Sequence, residues 1–367
     1  MLDKAIEVLE KLEEKGFTAY IVGGFVRDYL IKRETTDIDI CTNATPKDIV
    51  SIFNVKLLPE NNYGSVVVIY KKIRFDITTY RKEIKYEDNR RPVKIKYINN
   101  LKKDLCRRDF TINTLCINSK KEVLDILNVR KDLDNKLIKT VGNPRYRIKE
   151  DSLRILRAIR FATILDFEID KKTLIYLKKY GHLLKTLSYN RKKEELNKIF
   201  LNKNSQKGID LLIKLNLYNH LDIPKLIDLK PCNNIIGIWS QLEVDDLYPF
   251  TKLEKEQMVK IRKLLNLDIL NPYNIYKYGL YLSTIVAEIK NIDKKELNKV
   301  RNKLPILTSK DLAIKPIMIS KIINKPPGSY LKEIFNDVEK QVVLGNIENN
   351  YLAIEKYIIE NYSQTYP

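Results

Sequence analysis

Between residues 2 and 15, apolar side chains return every three or four positions among charged ones. This is the spacing of an amphipathic helix, and Gly16 ends it. Residues 18–22 form a short apolar run that reads as a strand, and Gly23-Gly24 leads from it into a second helix. Asp37-Ile38-Asp39-Ile40 alternates polar and apolar with period two, the mark of a strand with one face buried. Thr45-Pro46 places a capping side chain before a proline at the first helical position. Two β-rich runs, 64–70 and 73–80, flank Lys71-Lys72 and predict a hairpin. Beyond Pro144 the spacing is helical almost to the end, interrupted by turns near Gly181, Gly208, Pro231 and Pro326-Pro327. The pattern predicts an α/β head and an all-helical remainder, divided near residue 145, with no internal repeat.

Composition narrows the class. A chain of 367 residues has room for two to four domains, and 44% hydrophobic with 31% charged residues is a globular composition. No apolar run approaches the ~18 residues of a membrane span. The first helix is acidic rather than a basic segment leading to an apolar one, so no secretory signal is expected and a cytoplasmic location is. Cys41, Cys106, Cys116 and Cys232 form no CxxC pair and show no zinc spacing, which fits reduced thiols. The two histidines, His182 and His220, are not followed by Asp, which excludes a His-rich metal site and a His-Asp phosphohydrolase. The net charge of +20 suits a polyanionic partner such as nucleic acid. A Lys-, Asn- and Ile-rich composition, as from an A+T-rich genome, produces the same excess without any partner. The charge therefore supports a nucleic-acid reading without carrying it.

The chemistry concentrates early in the chain. In Gly23-Gly24-Phe25-Val26-Arg27-Asp28, paired glycines between strand and helix allow a phosphate to approach the backbone at the positive end of a helix dipole. Arg27, one turn into that helix, is within reach of the same anion. Asp37 and Asp39 share one face of a strand, about 7 Å apart, a spacing that suits hard cations. A DxD alone is often a solvated strand edge, but a phosphate cradle a few residues upstream argues against that. Asp76, on the polar face of 73–78, has two open readings: a third carboxylate of a two-metal site, or a salt-bridge partner for Arg74 or Arg81.

The run YIVGGFVRDYL…TTDIDICTNATP resembles the head of the class II tRNA nucleotidyltransferases (CCA-adding enzymes) and bacterial poly(A) polymerases, within the DNA polymerase beta superfamily. The resemblance continues through Tyr80-Arg81-Lys82-Glu83…Arg91-Pro92, similar to the family's flexible loop. It extends through Arg107-Arg108-Asp109-Phe110-Thr111-Ile112-Asn113, Val141-Gly142-Asn143-Pro144 and the segment from Glu150 to Phe161, then more faintly through Arg191-Lys192-Lys193-Glu194-Glu195-Leu196. It covers roughly residues 17–200; beyond lie only generic helices.

This resemblance implies an α+β fold with a polymerase-beta-like palm and mixed sheet in a catalytic head, 1–142. A helical neck (143–200) with a nucleotide-reading motif, a helical body (201–270) and a tRNA-binding helical tail (271–367) would follow. It implies that Asp37 and Asp39 hold two Mg2+ ions and carry catalysis. Gly24 and Arg27 would hold the triphosphate, Arg108 and Asp109 the ribose and phosphate, and Asp151, Arg154, Arg157 and Arg160 would line the nucleotide pocket. The implied reaction adds C, C and A to tRNA from CTP and ATP. Alternatives are a CC-only or A-only enzyme, a poly(A) polymerase, or an inactive RNA-binding scaffold.

Elementary chemistry accounts for Asp151 and Arg154. Three residues apart on one helix, they would be neighbours. A carboxylate only accepts hydrogen bonds and a guanidinium only donates. Cytosine and adenine both offer an exocyclic amine beside an unprotonated ring nitrogen, so one Asp and one Arg can read either. Guanine and uracil reverse both groups, at ~1–3 kcal/mol for each mispaired buried contact. Without the upstream motifs, a surface ion pair would be the better reading. Arg160 lies roughly opposite Asp151 on the helical wheel. Where the family pattern carries Gly in the stretch after Asp125, this chain has Val129, a stiffer residue.

Overall fold

The computed structural model describes residues 1–55, 64–87 and 91–363, which form two units, Met1–Ile227 and Asp228–Pro367.

In the first unit, α1 (Leu2–Glu13) buries Ala5, Ile6, Val8, Leu9 and Leu12, the predicted apolar stripe. It leads into β1 (Ala19–Val22) and α2 (Gly24–Leu30). β2 (Ile38–Thr42) and α3 (Pro46–Phe53) follow, the latter opened by a Thr45–Asp48 capping box and Pro46. β3 (Ser65–Tyr70) and β4 (Ile73–Thr79) form the expected hairpin, and both turn residues, Lys71 and Lys72, take positive φ. After the β5 (Arg81–Glu87)–β6 (Arg91–Tyr97) pair come α4 (Leu101–Cys106), β7 (Cys116–Ile117) and β8 (Val123–Leu124). The six-stranded sheet runs β3-β4-β2-β1-β7-β8. It is mixed: β2 and β4 are parallel, while the other neighbours are antiparallel. The segment matched to the family's flexible loop folds as the antiparallel β5–β6 pair, with Arg81 opposite Tyr97; residues 88–90 of that motif lie outside the described residues.

Next come α5 (Arg130–Asp134), β9 (Leu137–Ile138), α6 (Pro144–Glu150) and α7 (Leu153–Leu165), the last of which buries ten of its residues. β10 (Glu168–Ile169) pairs in parallel with β9, so one strand lies inside the stretch expected to be wholly helical. α8 (Lys171–Lys179), α9 (Tyr189–Phe200), α10 (Ser205–Lys214) and the short α11 (Leu217–His220) complete the unit. Gly208, read as a turn, instead lies within α10. A Cβ there would stand 2.4 Å from Cγ2 of Ile199 and 2.5 Å from Oγ1 of Thr163, so glycine is what lets α10 approach α7 and α9. Val129 adopts φ −119, which any side chain tolerates; the left-handed residue of that turn is Asn128, and Asp125 accepts from the amides of Val129 and Arg130.

The second unit is helical: α12 (Ile235–Leu242), α13 (Lys252–Leu265), α14 (Pro272–Ile289), α15 (Lys294–Asn302), α16 (Pro316–Ile322), α17 (Tyr330–Val343) and α18 (Tyr351–Tyr362). Trp239 is fully buried against Tyr248 and Phe250, and α14 is kinked at Gly279. No helix among the described residues is long and apolar enough to cross a membrane.

Candidate active site

The first strand delivers the backbone to Gly23, which caps α2 with φ +83. A Cβ at Gly23 would lie 2.9 Å from Oδ2 of Asp39 and 3.7 Å from Nη1 of Arg108. The constraint falls on Gly23 rather than Gly24, whose Cβ would meet only Nη2 of Arg27 at 3.5 Å. The resemblance assigns the triphosphate contact to Gly24. The residue that ends a strand and caps a helix is the one that needs the positive φ.

Asp39 lies on β2 between the buried Ile38 and Ile40, and its register places it opposite Val22 on β1 and Asp76 on β4. Asp37 precedes the strand and is exposed. Asp39 is itself an exposed residue, although neighbouring protein atoms crowd its carboxylate. Burial of the carboxylate raises its pKa and outweighs the pull of Arg108, and the Asp76 and Asp37 carboxylates push it further up. Asp76 stands opposite Asp39 in the strand register, and its Oδ1 accepts from Nη2 of Arg74 at 3.1 Å, the salt bridge of the second reading. Among the described residues no three His, Cys, Asp or Glu side chains are gathered tightly enough to hold an ion unaided. The oxygen-only donors nevertheless suit Mg2+, which keeps its waters and is commonly held by one or two carboxylates plus substrate phosphates.

Arg27 is buried; its Nε and Nη2 donate to the two oxygens of Asp28 (2.8 and 2.9 Å) and its Nη1 donates to Oδ1 of Asn113 (2.8 Å). Arg108 reaches Asp104 at 3.4 Å and lies beside Gly23. Asp109 accepts from the amide of Phe110 (2.8 Å), from Nδ2 of Asn113 (3.1 Å) and from Nε of Arg157 (2.8 Å). Burial would raise the Asp109 pKa, but the Arg157 charge and these donors outweigh it and hold the carboxyl well below the usual carboxylate range. The same contact raises the pKa of Arg157.

Asp151 and Arg154 do not share a helix. Asp151 ends α6 in an extended conformation, φ −146, and its Oδ1 accepts from the amide of Leu153, one residue into α7. Burial raises its pKa against the pull of Arg154 and Arg157. Arg154 is bound elsewhere: its Nη1 donates to the Arg147 carbonyl (2.6 Å) and to Glu150 (3.1 Å), and its Nη2 donates to the Arg107 carbonyl (3.3 Å). Of five N–H groups three are used, leaving Nε–H and one Nη2–H. Arg147 joins this network, pairing with Glu150 and donating to the carbonyls of Arg107 and Arg108. Arg160 turns away and donates to Glu195 on α9 at 3.2 Å. Asn113, Glu150, Arg147 and Glu195 were not singled out from the sequence as site residues, although each stands in or beside a quoted motif.

The arrangement brings a carboxylate pair and a glycine turn to one end of a buried polar network whose other end is α7. This is the layout of a nucleotidyltransferase. The model of the poly A polymerase head domain matches residues 19–139, that of an RNA- and SrmB-binding region of polymerase A matches 166–227, and that of tRNA nucleotidyltransferase domain 2 matches 250–358. The CCA-adding enzymes of Ligilactobacillus salivarius and Limosilactobacillus reuteri are each 34% identical to this chain. They match 98% of it and 95% and 97% of their own lengths. The chain belongs to the CCA-adding enzyme family. Members of the family are metal-dependent nucleotidyltransferases. The fold is shared with the Bacillus stearothermophilus CCA-adding enzyme in complex with CTP, at TM-score 0.86 and 24% identity over 99% of this chain and 98% of that one. It is also shared with the Thermotoga maritima CCA-adding enzyme complexed with tRNA, at TM-score 0.71 and 22% identity over 98% and 94%.

Proposed function

We propose that this protein adds C, C and A in turn to the 3′ end of tRNA, consuming CTP and ATP and releasing pyrophosphate in the cytoplasm. The observation that carries the reading is Asp39 set opposite Asp76 and against Gly23, in a chain related over nearly its whole length to CCA-adding enzymes.

Asp37 and Asp39, with Asp76 beside them, would hold two Mg2+ ions. Bound there, the ions would make the tRNA hydroxyl a better nucleophile and offset the triphosphate charge. The Gly23-Gly24 turn, with Arg27 behind it, would receive the triphosphate, and Arg108 and Asp109 would fix the phosphate and ribose. Asp151 would accept from the amine of C or A, and the spare N–H groups of Arg154 would donate to the ring nitrogen beside it. Arg157 would close the pocket. Arg160 would act through Glu195, bracing α7 rather than touching the nucleotide. A CC-only enzyme is the weaker reading, because the β5–β6 segment that such relatives are expected to lack is present.

The test is to incubate the protein with tRNA lacking its 3′ end and each labelled nucleotide in turn, then map the product. C-C-A is expected. A single A, two C residues or a homopolymer would replace this reading with the corresponding specialised relative.

A further inference from the structure

A single amide joins the two halves of the proposed site. Asn113 ends a one-turn 3-10 helix, Thr111–Asn113, and is 6% exposed. Its Oδ1 accepts from Arg27 of α2 (2.8 Å), and its Nδ2 donates to Asp109 (3.1 Å). The amide satisfies both neighbours in only one orientation, because Arg27 can only donate and the Asp109 carboxylate can only accept. At the far side of Asp109 stands Arg157 of α7, one turn beyond Arg154. Arg27 thus donates both to Asp28 and to Asn113, Asn113 donates on to Asp109, and Arg157 donates to Asp109 from the far side. The Phe161 ring lies beside these contacts, with its centroid 5.2 Å from the Arg27 guanidinium and 5.5 Å from that of Arg157.

We propose that Asn113 is a positioning residue that couples the triphosphate turn at α2 to the base-reading end of α7. The inference rests on the nucleotide-binding reading above. Arg27 touches the amide directly and Arg157 reaches it through the Asp109 carboxylate, and the buried setting strengthens these links. Aspartate, although the same shape, cannot replace it, since it would set two carboxylates against each other at position 109. Leucine fills the space but leaves Arg27 and Asp109 each with an unpaired group.

The experiment measures ATP affinity of the full chain without tRNA, for Arg27→Lys, Arg157→Lys and the double variant, each with and without Asn113→Ala. With Asn113 present the two lysine substitutions are expected to be non-additive by about threefold or more in Kd, as for residues in one network. With Asn113→Ala the factor should fall towards one. Additivity in the parent chain, or a coupling factor unchanged by Asn113→Ala, would overturn the proposal. If melting shows that Asn113→Ala fails to fold, Asn113→Ser serves, since its short hydroxyl cannot span both partners. Failure of the parent chain to bind ATP would instead overturn the nucleotide-binding reading itself, so the two failures are distinct.

Discussion

Asp39 and Asp76 stand directly opposite each other on the parallel strands β2 and β4, and Gly23 leaves no room for a side chain beside the first of them. Carboxylates set opposite each other repel and are costly until a cation arrives. Burial first, and then the Asp76 and Asp37 charges, raise the pKa of Asp39.

Asp39→Asn should therefore abolish nucleotide addition while raising the melting temperature of the metal-free protein at neutral pH. The sign follows from the raised pKa. Above it the ionised carboxylate destabilises the fold, whereas well below the ordinary value of 3.8 both states carry a neutral acid and the advantage disappears. Thermal scans of both proteins across this range test it. A neutral-pH melting temperature lower than the parent's would contradict the account.

Gly23→Ala should be far more harmful than Gly24→Ala. A non-glycine residue at φ +83 costs ~1–3 kcal/mol, and the added Cβ displaces Asp39. Activity should fall by about tenfold or more. For Gly24→Ala the added atom meets only Nη2 of Arg27, at an ordinary 3.5 Å, so its loss comes only from the triphosphate that the turn would hold and should be the smaller of the two. Comparison of kcat/KM for the two variants decides the matter.

Gly208→Ala is expected to lower stability without touching the chemistry. Alanine improves helix propensity by up to ~1 kcal/mol, but contacts of 2.4 and 2.5 Å force α10 away from Ile199 and Thr163, an overpacking cost of ~1–3 kcal/mol. Chemical denaturation should show a net loss, while KM for ATP stays within about twofold if stability alone has changed.

Local patterns were the legible ones. The alternation around Asp37–Ile40 and the β3–β4 hairpin are written in neighbouring residues, and the motif order carried the resemblance to the family. What escaped depends on distant partners. The run from Glu150 to Phe161 has neither Pro nor Gly and reads as one helix. It breaks at Asp151, whose carboxylate caps Leu153 while Arg154 turns back to Glu150 and the Arg147 and Arg107 carbonyls. β10 is a strand only because β9 lies beside it, some thirty residues back. Gly208 looks like a turn until Thr163 and Ile199 show why no larger residue fits. Glycine was expected where Val129 stands, yet the left-handed conformation belongs to Asn128.

Base choice by protein side chains is the centre of this account, and the separation of Asp151 from the helix that holds Arg154 sharpens its test. Asp151→Ala removes one hydrogen bond, to the Leu153 amide, worth ~1 kcal/mol, so it should fold nearly normally. Arg154→Ala removes three hydrogen bonds, one buried and two partly buried, and should cost more, about 2 kcal/mol or above. The decisive measurement is therefore on Asp151→Ala: sequence the 3′ ends it makes on tRNA lacking CCA when all four nucleotides compete at equal concentration. The account predicts that U and G enter at the expense of C and A, shifting relative kcat/KM by roughly five- to a hundred-and-fifty-fold. An unchanged C-C-A sequence with only a slower rate would contradict it.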